Sequence, residues 1–187
     1  MNRMSSHYNV SGLSLIELMI VLLIVAISLS VGTPLMQSLR HKNVLSVESS
    51  RFLGAVNLAR SESVKRNLPV SICPSKMAAT GEPVCGGIYS GGWIVFANPN
   101  RDKIVNAETD EVLQVFEALH PLYTITNRAG TTAAFHLINY LPDGTSHSNR
   151  TLLFCPPGGV EVEPLSLVIN IVGRARLARG WGECPVV

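Results

Sequence analysis

The chain has 187 residues, 47% of them apolar and only 15% charged, with a formal net charge of +2. That length suits one domain with an appended segment, and so small a net charge excludes a nucleic-acid partner held by overall charge, leaving only a local patch for one. None of the four cysteines forms a C-x-x-C pair or has a histidine close by in sequence, which argues against a zinc site, and no metal or other cofactor is expected.

The first predicted element is a long helix. From Leu18 to Leu39 no residue carries a charge. That run of about 22 residues, at about 1.5 Å each, reaches about 33 Å, enough for a hydrocarbon core of about 30 Å. Arg3 flanks it on one side and Arg40 and Lys42 on the other, which leaves orientation open. A secretory signal has a shorter apolar core, about 7–15 residues. Here the pattern continues instead as an amphipathic helix. Leu45, Phe52, Val56 and Ala59 form one stripe, and Glu48, Arg51, Arg60 and Glu62 lie between or beside them. Glu62 and Arg66 make an i,i+4 pair, and Leu68-Pro69 ends the helix near Asn67. One helix is expected from Leu13 to about Asn67, lipid-compatible in its first half. Pro34 with Gly32 predicts a kink or local melting midway.

Glu17 is the anomaly of this opening. An acid in a membrane segment costs about 2.5–3.5 kcal/mol at the helix centre and less near an end. Alone, it reads as an interfacial residue favoured by the helix N-terminus. Its neighbours add more. A short polar leader, Gly12, then Leu13-Ser14-Leu15-Ile16-Glu17 and a long apolar helix resemble a type IV prepilin signal. The resemblance implies that a prepilin peptidase cuts between Gly12 and Leu13 and methylates the new N-terminus. It also implies that Glu17 neutralises the terminal amine of a neighbouring pilin. Paired opposite charges are what a low-dielectric bundle tolerates. Pro34 falls where such helices commonly carry a proline, whereas Leu13 stands where phenylalanine is usual. The implied organisation is a leader at 1–12, a transmembrane and assembly helix at 13–39, an amphipathic continuation at 40–68 and a globular domain at 69–187. The implied location is the bacterial inner membrane, crossed once, with the globular domain in the periplasm and later in the pilus fibre at the cell surface.

Beyond Pro69 the helical period disappears. Short β-branched and aromatic runs alternate with Gly, Pro, Asn and Asp clusters. They predict strands at Val70–Cys73, Trp93–Ala97, Val112–Ala118, Leu122–Thr126, Ala133–Ile138, Thr151–Cys155 and Leu165–Leu177. The fold class is therefore α+β, a long N-terminal helix packed on an antiparallel β-sheet. An even cysteine count behind an export signal reads as two disulfides in an oxidising compartment. Three pairings are possible, and the simplest joins neighbours, Cys73–Cys85 and Cys155–Cys184.

The segments GGWIVFANPNRDKIVNAETDEVLQVFE, NYLPDGTS and LVINIVGRARL resemble the FimT/FimU/GspH family of minor pilins and pseudopilins, FimT most of all. The type IV pilin fold follows from that resemblance.

Three candidate sites remain. Asn98, Asn100 and Asp102 offer oxygen at alternating positions, but Lys103 and Thr109 stand where a calcium loop needs glycine and glutamate, so an exposed hairpin connection is expected. His41, His120, His136 and His147 are scattered, and Asp143 beside SHS lacks a nucleophile elbow, so no catalytic residues and no enzyme are expected. GRARLARG is the third: Gly173, then Arg174 and Arg176 two positions apart on the same face of a strand, then Arg179. Guanidinium forks fit phosphate oxygens; against this, such arginines also solvate an edge strand or pair with Glu161, Glu163 or Glu183. In FimT-like proteins the Gly-Arg-x-Arg motif is associated with DNA capture. The implied function is a minor pilin near the tip of a type IV pilus that binds DNA non-specifically for natural transformation. The alternatives are a structural minor pilin that primes assembly without DNA, or a GspH-type pseudopilin of a type II secretion system.

Overall fold

The computed structural model describes residue 12, residues 14–106 and residues 108–185, without the side chains of residues 31–35. Leu13 and the leader before Gly12, both part of the expected processing site, lie outside the described residues. The chain forms two compact units, Met1–Leu39 and Arg40–Val187.

Helix α1, Leu15–Arg66, begins in the first unit. The Ser14 carbonyl starts it by accepting the N–H groups of Glu17 and Leu18 at 3.0 and 3.1 Å. Every described side chain from Leu15 to Ser30 is exposed, the apolar ones included. Ser28 and Ser30 turn their hydroxyls back onto the carbonyls of Ile24 and Ile27, so the run's two serines are satisfied within the helix. The helix is continuous across Gly32 and Pro34, against the expected local melting. A proline removes one helical N–H bond, and the remaining bonds of a 52-residue helix hold the backbone. Among the described residues no helix is long and apolar enough to cross a membrane, in contrast to the transmembrane helix expected at 13–39.

The second unit holds the rest of α1, the short helix α2 (Met77–Thr80) and eight strands: β1 Val70–Pro74, β2 Trp93–Ala97, β3 Glu111–Phe116, β4 Thr124–Asn127, β5 Ile138–Tyr140, β6 Arg150–Cys155, β7 Leu165–Ile169 and β8 Ala175–Ala178. They make two antiparallel four-stranded sheets, ordered β3-β2-β1-β5 and β4-β6-β7-β8, where the sequence suggested one. The expected helical stripe is the core face. Leu45, Phe52, Val56 and Ala59 are all buried, with Ala55 beside them. Phe52 packs 4.8 Å from Trp93 of the first sheet and 5.9 Å from Phe154 of the second. One ring thus joins both sheets to the helix, and burying such a side chain contributes about 1.5–3 kcal/mol. Asn67, with φ 52, stops α1 where the Leu68-Pro69 step predicted.

The first sheet is covered on both faces. On its far side Cys73, Ile94 and Phe96, with Val112 of β3, pack against Met77 and Cys85, and the expected Cys73–Cys85 disulfide staples the covering loop. Other expectations need correction. Ala133–Ile138 is not a strand; Ala133 makes one isolated bridge to Thr126, and the strand is Ile138–Tyr140. Leu122 lies outside β4 because its φ of 74 breaks extension. Leu165–Leu177 is not one strand but the hairpin β7–β8, folded at Asn170–Gly173.

Candidate functional site

The β7–β8 hairpin turns because two residues suit the turn. Gly173 has φ 82, a conformation open mainly to glycine. Asn170 accepts the Gly173 N–H on its carbonyl and the Arg174 N–H on its side-chain oxygen, both at 2.8 Å. A Cβ on Gly173 would collide with the Gly144 carbonyl oxygen. The neighbouring turn at 141–144 is therefore packed directly against this one. Arg60 of α1 ties the two together, donating to the Gly144 carbonyl at 3.1 Å and to the Val172 carbonyl at 3.3 Å. From within the core, the Tyr140 hydroxyl donates to the Gly173 carbonyl at 3.2 Å. Burial pushes the Tyr140 hydroxyl up to about 12, with the Arg60 charge opposing.

Gly173 is thus buried and structural, while Arg174 and Arg176 are exposed. Arg174 precedes β8 rather than lying in it. The pair nevertheless alternates along one extended segment, because the Asn170 N–H continues the ladder to the Arg174 carbonyl. Arg176 stands in register with Val168 and Thr151 on the sheet face away from the core. Arg179 sits 4.0 Å from Glu163, one of the carboxylates the sequence offered. Among the described residues neither Arg174 nor Arg176 has an ion-pair partner.

The site contains more than the motif. The expected Cys155–Cys184 disulfide folds the C-terminal segment back over this sheet face. It brings the Trp181 ring 4.8 Å from the Arg176 guanidinium and 5.7 Å from that of Arg128. Arg128 also donates to the Trp181 carbonyl at 3.2 Å. A Cβ on Gly182 would strike the Arg128 carbonyl oxygen, so the segment lies close on the β4 turn. Arg128, Arg150, Asn170, Arg176 and Trp181 line a groove of about 410 Å³. Sequence reading missed Trp181, Arg128 and Arg150. The signal was available in the Cys155–Cys184 pairing, which returns the C-terminus to β6 beside Arg150.

The other candidates do not assemble into chemistry. Asp143 accepts both the hydroxyl and the N–H of Thr145, which hold its carboxyl below the usual range, and Ser146 donates to the Ser148 carbonyl. Asn98 donates to Ser71 and to the Asp102 carbonyl. Gly12 is exposed, and Glu17 is exposed in the first turn of α1.

The profile of the family described as "Type II transport protein GspH" matches residues 48–173. The chain belongs to the GspH family. A second profile, the prokaryotic N-terminal methylation motif, matches residues 8–33 and implies prepilin peptidase processing. Among solved structures, the chain is similar to the Pseudomonas aeruginosa type IV minor pilin FimU, with a TM-score of 0.53 and 18% identity over 73% of this chain and 90% of that one. It is also similar to the minor pseudopilin EpsH of the Vibrio cholerae type 2 secretion system, with a TM-score of 0.48 and 13% identity over 72% of this chain and 95% of that one. No curated protein matches in sequence. This GspH-family chain is a minor pilin or pseudopilin, of a type IV pilus or a type II secretion system. It is a structural protein that assembles with other pilins and not an enzyme, and it has the pilin-like α+β fold. The family match ends at Gly173, so Arg174, Arg176 and Arg179 all lie beyond it.

Proposed function

We propose that this chain is a minor pilin of a type IV pilus, incorporated near the tip, that binds DNA non-specifically for uptake in natural transformation. Arg174 and Arg176 carry the binding. The supporting observation is that both are exposed and without an ion-pair partner among the described residues, on a hairpin held from behind by Tyr140 and Arg60. Rigid presentation of guanidiniums suits phosphate oxygens. Phosphate contacts carry no base information, so sequence preference is not expected. Arg179, shared with Glu163, is the weaker member. The N-terminal motif match supports cleavage after Gly12, methylation at Leu13, a single-pass anchor in the inner membrane before assembly, and pairing of Glu17 with a neighbour's amine.

A second reading is a type II secretion pseudopilin without DNA binding, favoured by the family match itself. The mature full-length chain in detergent micelles separates the two. Titrated with a labelled duplex at low salt, the wild type should bind and the Arg174→Ala/Arg176→Ala double variant should not. No wild-type binding would leave the structural reading.

A further inference from the structure

The motif is not the only unpaired basic surface. A second groove, of about 310 Å³, opens beside the first sheet's edge strand β5. Its cations are Arg101, Lys103 and Arg150, with His136 and His147 beside them, and no carboxylate lines it. Arg150 also lines the Arg176–Trp181 groove, where again no acidic residue appears. It stands at the start of β6, in the seam between the sheets, donating to the Leu137 carbonyl at 3.4 Å next to β5. One half-buried arginine is thus the shared wall of two acid-free grooves.

The nearest acid in sequence does not neutralise this surface. Asp102 lies between Arg101 and Lys103, yet its carboxylate accepts the side-chain amides of Asn100 and Asn106 and the Ile104 N–H. Among the described residues, ion pairs are made by Arg51, Lys65, Arg66 and Arg179. Arg101, Lys103, Arg128, Arg150, Arg174 and Arg176 make none. Arg101, Lys103, Arg128, Arg150 and Arg176 line adjoining grooves, and Arg174 is exposed two residues before Arg176; unpaired cations arranged this way offer a path to a linear polyanion.

We infer that the two grooves form one track, and that a single nucleic-acid strand runs from Arg174 and Arg176 past Arg128 and Arg150 to Arg101 and Lys103, held by its phosphates. This rests on the DNA reading above and extends it from a two-residue motif to a six-cation path. The two differ in salt dependence. Each phosphate contact on a single strand adds about 0.7 to the slope of log affinity against log salt. Two contacts weaken binding about 7-fold between 50 and 200 mM salt, whereas six weaken it about 300-fold.

The test titrates the mature full-length chain in detergent micelles with a fluorescein-labelled thymidine oligonucleotide of about 20 nucleotides. Wild type should lose about 300-fold across that salt range, and Arg101→Gln/Lys103→Gln about 50-fold. Lys103→Glu, a single exposed loop change, should weaken binding at low salt with circular dichroism unchanged. A wild-type loss of about 7-fold, or variants with the wild-type slope, would overturn the track while leaving the motif standing. Absence of wild-type binding to the oligonucleotide would overturn the track, and absence of binding to the labelled duplex as well would overturn the DNA reading.

Discussion

Tyr140, at the edge of one sheet, hydrogen-bonds through its hydroxyl to the carbonyl of Gly173, in the turn of the other sheet, at 3.2 Å. The bond joins the two sheets at the point where the exposed arginines begin. It also makes this turn sensitive to the ionisation of a buried phenol.

Alkaline pH should therefore loosen the structure. Tyr140 ionises at about 12 in the folded chain because burial disfavours its anion, and near 10 when unfolded. The stabilisation is complete below about pH 10 and is lost as pH rises towards about 12. Tyr89, fully buried, is pushed up in the same direction. Denaturant unfolding followed by Trp93 fluorescence should show falling stability across that window. Tyr140→Phe should fall less steeply, and at neutral pH should cost about 0.5–1.5 kcal/mol for the lost hydrogen bond.

Gly173 and Arg174 should separate cleanly on mutation. Gly173→Ala places a Cβ against the Gly144 carbonyl at φ 82 and should cost at least about 1–3 kcal/mol. Arg174→Ala removes an exposed side chain and should stay within about 0.5 kcal/mol of wild type. Thermal unfolding of both variants checks this. Equal losses would mean that Arg174 is part of the packing.

Removing the Cys155–Cys184 bridge by a double serine substitution should cost about 2–4 kcal/mol. It should also free the segment carrying Trp181 from Arg128 and Arg176. Tryptophan emission should shift to the red, and nucleic-acid binding should weaken even where the fold survives. Removing Cys73–Cys85 instead should leave binding by the motif arginines intact, because that bridge staples the cover of the other sheet.

At the N-terminus, protein from membranes containing the prepilin peptidase should have the intact mass of a chain starting at methylated Leu13. Glu17→Ala should leave the globular unit folded, since Glu17 belongs to the other compact unit, but should reduce recovery in sheared filaments. Normal incorporation would refute its pairing role.

The sequence by itself determined the helix, its buried stripe and its end at Asn67, because periodicity and the X-Pro step act locally. It also carried the prepilin-like signal around Gly12 and Glu17 and, through neighbour pairing, both disulfides. Tertiary structure alone decided the division into two sheets, since strand order depends on contacts far apart in the chain. It divided the apolar run Leu165–Leu177 into a hairpin through the positive φ of Gly173 and its close approach to Gly144. That approach also assigns Gly173 to the packing and leaves the arginines to the surface. The grouping of Arg101, Lys103, Arg128 and Arg150 beside Arg176 was invisible along the chain. These residues come from separate turns and strand ends, and only sheet pairing and a disulfide bring them to adjoining grooves.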